Sequence, residues 1–161
     1  MLVPQLNAIA EKERGTPKIS YYEGKDGYFI AAEDSLRNTP NKDLRHIGSI
    51  SELHRIVGAE YDYNSYIPRR VKAGIFVKAL YFEHEVPIEM SSRKHPVELR
   101  EIRHLPKKYF YKTSMLIYGN KVAIFSAEKE LITVIIESEA MAESERKKFD
   151  FIWDAIEKTQ K

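Results

Sequence analysis

Cysteine is absent from the 161-residue chain, and this absence excludes several kinds of chemistry at once. Without cysteine there is no disulfide framework, no thiol nucleophile and no cysteine-based zinc site. Long apolar runs are also missing, since "AGIFVKALYF" and "ELITVIIES" fall far short of the roughly 20 residues that a bilayer span needs. The opening "MLVPQLNAIA" lacks the basic flank of a signal peptide. We therefore expect a soluble, cytoplasmic protein.

Neither sign of charge dominates, because 26 Lys and Arg stand against 24 Asp and Glu. The formal net charge of +2 is too balanced to indicate nucleic-acid binding by itself. Local basic clusters such as "RRVK" and "RKK" are expected to be solvated faces or loops. The length predicts one domain with a core of its own.

The first half of the chain alternates strands with helices. "KISYYE" (18–23) is predicted to be a strand that turns at Gly24 into a helix ending near Asn38. A second strand over 43–49 leads into a short helix capped by Ser49 or Ser51. The next helix has Ser65 as a candidate cap and a glycine just past its end.

The second half of the chain moves from a buried strand to a meander. "IFVKALYF" (75–82) is almost continuously apolar, which is typical of a parallel strand covered on both faces, and we place it at the centre of the sheet. An irregular excursion over 83–96 follows. From Thr113 onward, three strands joined by short turns precede a helix that starts near Ser138. The pattern predicts an α/β domain with a mixed β-sheet flanked by helices.

The last helix carries an apolar face whose members recur at helical spacing. Packing of this face on the sheet is the default interpretation, and a share in a twofold dimer is the alternative. The residues concerned are Phe149, Ile152, Trp153 and Ile156.

Three phrases in order along the chain resemble the effector domain of TrmB-type, sugar-responsive transcriptional regulators. They are "SYYEGKDG", "YIPRRVKAGIFVKAL" with "LREIRHLPKKYF", and "MLIYGNKVAIFSAEKELITVIIESEAMAESERKKFDFIWDAI". The resemblance implies a phospholipase D-like effector domain over 18–161, a linker helix over 1–17 and a homodimer. The family's N-terminal winged helix has no counterpart here, so DNA binding would belong to a module outside this chain. We expect either a stand-alone domain or a piece of a longer regulator.

A phospholipase D-type site needs a histidine nucleophile, a lysine two positions later and a downstream aspartate. The stretch "TSMLIYGNKVAIFS" (113–126) has the frame of such a catalytic strand but none of these residues. The positions tested are Tyr111, Lys112, Thr113, Met115, Leu116, Tyr118 and Gly119. The five histidines show no metal-ligand spacing either, so surface or hydrogen-bonded core roles are favoured. We predict no catalytic residue, no metal, no cofactor and no enzymatic activity.

Ligand contacts are predicted from position, because a sugar or phosphorylated metabolite would need carboxylates, arginines and an aromatic face together. The candidates are Glu23, Arg100, Arg103, Tyr118, Ser126 and Glu128. A scaffold ion pair between Arg100 and Glu23 is the alternative for those two. The leading hypothesis is a ligand-sensing and dimerisation domain of a TrmB-like regulator, without membrane contact. A protein interaction module without a small ligand is the first rival, and a phosphodiesterase with an unrecognised residue set is the second.

Overall fold

The computed structural model describes residues 16–86 and 97–159 and contains a seven-stranded mixed sheet. The strands are β1 (Lys18–Glu23), β2 (Asp43–Gly48), β3 (Phe76–Phe82), β4 (Arg100–Leu105), β5 (Thr113–Tyr118), β6 (Lys121–Ala127) and β7 (Leu131–Glu137). Their spatial order is β1-β7-β6-β5-β2-β3-β4. The predicted linker helix lies outside the described residues, and the boundary at residue 17 stays a prediction.

Two kinds of strand pairing meet at β2. Strands β2, β3 and β4 run parallel, whereas β2 pairs antiparallel with β5 and the series β5, β6, β7 and β1 is antiparallel throughout. The predicted meander and the predicted mixed sheet are therefore confirmed. At the junction, His46 of β2 lies opposite Ala79 of β3 and Leu116 of β5.

The prediction that β3 forms the centre of the sheet is wrong, because β3 is next to the edge strand β4 and β5 occupies the middle position. An apolar run indicates that both faces of a strand are covered, but it does not indicate the position of that strand in the sheet. Both faces of β3 are indeed lined by other elements, a helix on one side and a pocket on the other.

Three helical segments cover one face of the sheet: α1 (Lys25–Arg37), α2 (Ile50–Val57), and a π-helical turn (Asp62–Tyr66) that continues into α3 (Ile67–Lys72). Ser49 caps α2 by accepting a hydrogen bond from the backbone N–H of Glu52 at 3.1 Å, as predicted. The predicted cap Ser65 lies inside the π turn, so that prediction is wrong.

Helix α1 approaches the sheet closely because Gly27 has no side chain. A Cβ atom at this position would lie 2.8 Å from both Thr133 Oγ1 and Tyr22 Cβ. The core under α1 and α2 includes Leu44, Leu53, Leu116, Tyr118 and Phe125.

The opposite face is covered by the single long helix α4 (Glu139–Thr159), which contacts β2, β4, β5, β6 and β7. Its side chains Phe149 and Trp153 stack on each other and pack against Leu80 and Phe82 of β3. Fully burying a side chain of this size stabilises the fold by about 1.5–3 kcal/mol. The sheet thus separates two cores, and an apolar cavity lies on the side of α1, α2 and α3.

Candidate functional site

A pocket of about 520 Å³ lies between the parallel strands and the helices α2 and α3. Alternate residues of β2, β3 and β4 form its floor, since side chains along a strand point to opposite faces in turn. The floor is mainly apolar, and tyrosine rings and charged groups stand around it. The lining includes Tyr28, Leu44, His46, Ile50, Ser51, His54, Arg55, Asp62, Tyr63, Tyr66, Ile67, Arg70, Val77, Ala79, Tyr81, Glu85, Val86, Glu98, Arg100, Ile102 and Leu116.

Asp62 is a buried carboxylate at the start of the π turn, with 6% of its surface exposed. Tyr28 donates its hydroxyl hydrogen to Oδ1 at 2.5 Å, and Nε2 of His54 lies 2.6 Å from Oδ2. Burial first, and then the neighbouring Asp62 charge, raise the pKa of Tyr28 well above its usual range. Both oxygens of Asp62 therefore have partners from the protein, and the carboxylate holds His54 in place at the pocket wall.

His46 lies in the floor of the pocket on β2 and is 8% exposed. Its Nδ1 is 2.7 Å from the hydroxyl of Tyr81, while its Nε2 is buried and has no hydrogen-bond partner within the described part of the chain. Burial is the main cause that lowers the pKa of His46 to about 4. The imidazole is therefore neutral at physiological pH and offers one unused polar atom.

Arg70 of α3 is buried, with only 2% of its surface exposed. Its guanidinium donates to three backbone carbonyls, of Ile75 at 2.5 Å, Leu99 at 3.0 Å and Glu98 at 2.6 Å. Burial lowers the pKa of Arg70 from its ordinary value. Within the described residues this cation forms no ion pair with a carboxylate, so its role is to tie α3 to the ends of β3 and β4.

Two further carboxylates lie among the lining residues, and both have partners. Glu98 forms an ion pair with Arg100, and Glu85 accepts hydrogen bonds from the hydroxyls of Ser49 and Ser51. The Glu85 contacts join the segment after β3 to the start of α2. The polar groups of the pocket are therefore largely satisfied by one another.

Of the ligand contacts predicted from sequence, only Arg100 lines the pocket. Its partner is Glu98 and not Glu23, because Glu23 lies on the edge strand β1 at the far end of the sheet from β4. Arg103 points to the other face, where its guanidinium lies 4.0 Å from the ring centroid of Trp153 and donates to the Trp153 carbonyl at 2.7 Å.

The remaining predicted contacts lie near β5 and β6, away from the pocket. Tyr118 is fully buried and donates to Asp34 at 2.7 Å, so it belongs to the scaffold. Ser126 is half-buried on β6 opposite Thr113. Glu128 is exposed, and its backbone carbonyl accepts a hydrogen bond from Arg55 at 3.2 Å.

The apolar face of α4 packs within the chain. Phe149, Trp153 and Ile156 are buried against the sheet, and Ile152 is partly buried beside them. The aromatic residue that α4 exposes is Phe151, at 77%. A contribution of the predicted face to a dimer stays a prediction.

The pocket residues that sequence reasoning missed are His46, His54, Asp62 and Arg70. The signal available was weak: His46 alternates with Leu44 along a strand, and "YDYN" carries an acidic residue among tyrosines. Their convergence depends on the parallel pairing of β2 with β3 and on the π turn, which local patterns do not encode.

Two other kinds of function, metal binding and membrane insertion, concern the described ranges 16–86 and 97–159 as follows. No group of three or more His, Asp or Glu side chains is arranged there to hold a metal ion. In the same residues, no helix combines the length and the apolar character that a membrane crossing requires.

The chain matches no protein family model, and no curated protein matches it. Solved structures do share its architecture. The archaeal chromatin protein TrmBL2, described with a novel mode of DNA binding, aligns over 96% of this chain with a TM-score of 0.60 and 14% identity. This chain spans 64% of the TrmBL2 chain.

Two phospholipase D-like structures align as well. NucT from Helicobacter pylori gives a TM-score of 0.61 at 12% identity, over 86% of this chain and 96% of its own. The phospholipase D family member Nuc from Salmonella typhimurium gives 0.55 at 12% identity, over 86% and 95% respectively. The predicted phospholipase D-like α/β fold is therefore confirmed, while these identities establish the fold alone.

The exclusion of enzymatic activity is wrong. NucT and Nuc are enzymes with the same fold, so the architecture is one that supports catalysis. The inference failed because it rested on residue spacings along the sequence, whereas His54 and Asp62, which form a pair at the pocket, belong to different elements.

Proposed function

We propose that this domain binds a small molecule in the pocket and acts as the ligand-sensing part of a TrmB-like transcriptional regulator in the cytoplasm. The observation that carries the proposal is the buried His46, whose Nε2 has no hydrogen-bond partner within the described residues and faces a largely apolar pocket. A buried polar atom without a partner is costly, and a ligand that hydrogen-bonds to it recovers that cost. The shared architecture with TrmBL2 supports a regulatory context.

Sensing requires that the ligand bind one arrangement of the protein more tightly than another. The pocket is built between the sheet and two helices, each held by few contacts at this edge: Arg70 ties α3 to the carbonyl of Ile75, and Glu85 ties the start of α2 to the segment after β3. A ligand bound in the pocket would favour one arrangement of these two helices. In a homodimer, the resulting change would pass through the N-terminal segment to a DNA-binding module outside this chain.

The test measures binding and oligomeric state together. Thermal melting is recorded against sugars, phosphorylated metabolites, nucleotides and uncharged ring compounds, and light scattering gives the molecular mass. A stabilised melt that is lost in Ala79→Leu, which fills the pocket floor, and kept in Ala140→Leu on the exposed start of α4 supports the proposal. A monomer whose melting temperature no compound changes would refute it and would favour an interaction module.

A second candidate function is catalysis in the same pocket, and the specific observation in its favour is the contact between His54 and the buried Asp62. A carboxylate that orients a histidine is an arrangement used for general acid–base chemistry. Hydrolysis of bis(p-nitrophenyl) phosphate that disappears in His54→Gln, while the fold is retained by circular dichroism, would establish this activity. No hydrolysis above the rate in buffer would leave ligand sensing as the function of the pocket.

A further inference from the structure

We propose that the pocket selects an uncharged ring compound that carries a hydrogen-bond acceptor, either a ring nitrogen or a carbonyl oxygen, and that His46 Nε2–H donates to this acceptor. The inference rests on the proposed ligand-binding function and names the chemical class of its ligand. It runs against the sugar or phosphorylated metabolite that the sequence suggested.

The polar groups around the pocket leave few positions for a polyhydroxylated ligand. Both oxygens of Asp62 are occupied, by Tyr28 and by His54. Arg70 donates to backbone carbonyls, and Arg100 pairs with Glu98. A sugar would bury several hydroxyl groups, and each one that finds no partner among these engaged groups weakens binding. The charge of Arg100 is already paired with Glu98, so a phosphate would have to compete with that carboxylate.

Nε2 of His46 has no hydrogen-bond partner within the described residues, and the proton of the ring can be assigned from its neighbour. The hydroxyl of Tyr81 lies 2.7 Å from Nδ1 and has no other acceptor within the described residues. Burial raises the pKa of Tyr81 far above its usual range, so the phenol keeps its hydrogen and donates it to Nδ1. The neutral ring then carries its own hydrogen on Nε2, because a neutral imidazole has one donor and one acceptor nitrogen. The ligand must therefore supply an acceptor.

The rest of the pocket suits a flat apolar ring. Leu44, Val77, Ala79 and Ile102 contribute aliphatic surface to the floor. Tyrosine rings stand around it, and aromatic pairs prefer stacked or edge-to-face contacts. A volume of about 520 Å³ leaves ample room for a two-ring compound. A charged group on the ligand would have to be buried beside the neutral imidazole of His46, which offers it no opposite charge.

The proposal is tested with two probes of similar shape and opposite hydrogen bonding, measured by isothermal titration calorimetry. Isoquinoline offers a ring nitrogen as acceptor, whereas indole offers only an N–H donor; both are uncharged at slightly alkaline pH. We expect isoquinoline to bind about tenfold more tightly than indole, which corresponds to one hydrogen bond. Maltose and glucose 6-phosphate, titrated in parallel, are expected to bind more weakly than either.

Two variants locate the hydrogen bond. His46→Phe removes the donor and should abolish the preference for isoquinoline over indole. His104→Phe is the matched control, because His104 is also 8% exposed but its Nε2 lies 3.0 Å from the Val86 carbonyl and it does not line the pocket. Nitrogen-15 NMR of wild-type His46 gives a reading that does not depend on variant folding: Nε2 should be protonated, and its signal should shift with isoquinoline.

The outcomes separate this inference from the function on which it rests. Tighter binding of indole, a protonated Nδ1, or an unchanged preference in His46→Phe would overturn the acceptor assignment while leaving a ligand pocket. Tight binding of maltose or glucose 6-phosphate that is lost in Ala79→Leu would retain the sensing function and refute the ligand class. If none of these compounds nor the wider panel binds, both proposals fail.

Discussion

Replacing Arg70 by methionine should destabilise the fold by about 3 kcal/mol, since three hydrogen bonds from a charged donor are lost and part of the loss is offset by no longer burying the charge. The bonds to Ile75, Glu98 and Leu99 all disappear. The Leu99 carbonyl keeps one partner, the backbone N–H of Val77 at 3.0 Å, whereas the Ile75 carbonyl loses the bond from Arg70 at a buried position. Methionine fills a similar volume, so a cavity contributes little.

The assay is urea unfolding followed by fluorescence of the single tryptophan. Arg69→Met is the control: Arg69 is the preceding residue, but its side chain is 45% exposed and pairs with Glu33 at the surface. Its effect should be a small fraction of the Arg70 effect, because exposed ion pairs contribute little. A loss below about 1 kcal/mol for Arg70→Met, or equal losses for the two variants, would refute the assignment of Arg70 as a buried tie.

Three more predictions follow from other parts of the fold. Burial alone would raise the pKa of Asp34, but hydrogen bonds from Lys121 and Tyr118 together lower it by more, so its net pKa lies below the ordinary value of 3.8. Asp34 then binds a proton more readily in the unfolded chain than in the folded one. The stability that ionised Asp34 contributes is therefore complete above pH 3.8 and is lost as the pH falls through the folded pKa. In denaturant titrations, Lys121→Met should make the free energy of unfolding depend less on pH in this acid range. Gly48→Ala should prevent folding or lower the melting temperature several times as much as Gly58→Ala does. A Cβ atom at position 48 would lie 2.3 Å from a backbone carbonyl oxygen, while one at position 58 meets nothing within 4 Å. Equal effects at the two glycines would contradict the close approach of β2 to β5. Arg103→Ala should cost about 1 kcal/mol and change the tryptophan emission, because the guanidinium stacks on the indole ring; an unchanged spectrum would argue against that contact.

Local patterns predicted the elements well where one physical rule decides each of them. The cap at Ser49 follows from a serine placed before an apolar periodic run. The meander from Thr113 follows from apolar runs separated by short turns. The position of β3 could not be predicted in this way, because strand order is fixed by long-range pairing with β2 and β4.

The candidate site was largely beyond the reach of sequence patterns for the same reason. His46 and Asp62 are 16 positions apart in the numbering and belong to different elements, yet both line one pocket. Arg100 lines the pocket, and its contact with a ligand stays a prediction; its partner Glu98 is a near neighbour in sequence and not the distant Glu23. The predicted ligand contacts were polar residues near strand ends, whereas the pocket is formed on one face of the parallel strands.

The π turn at Asp62–Tyr66 sets the rotation of the helical residues just before it relative to α3. Each residue added to or removed from a helix turns the preceding part by about 100° relative to the following part. Deleting Asn64 would convert the turn to regular α-helix, leave α3 and Arg70 in place, and swing Asp62 away from Tyr28 and His54. The extra residue thus sets the angle between the two parts of the helix, and a one-residue deletion would break the contacts of Asp62 with Tyr28 and His54 without altering any of these three side chains.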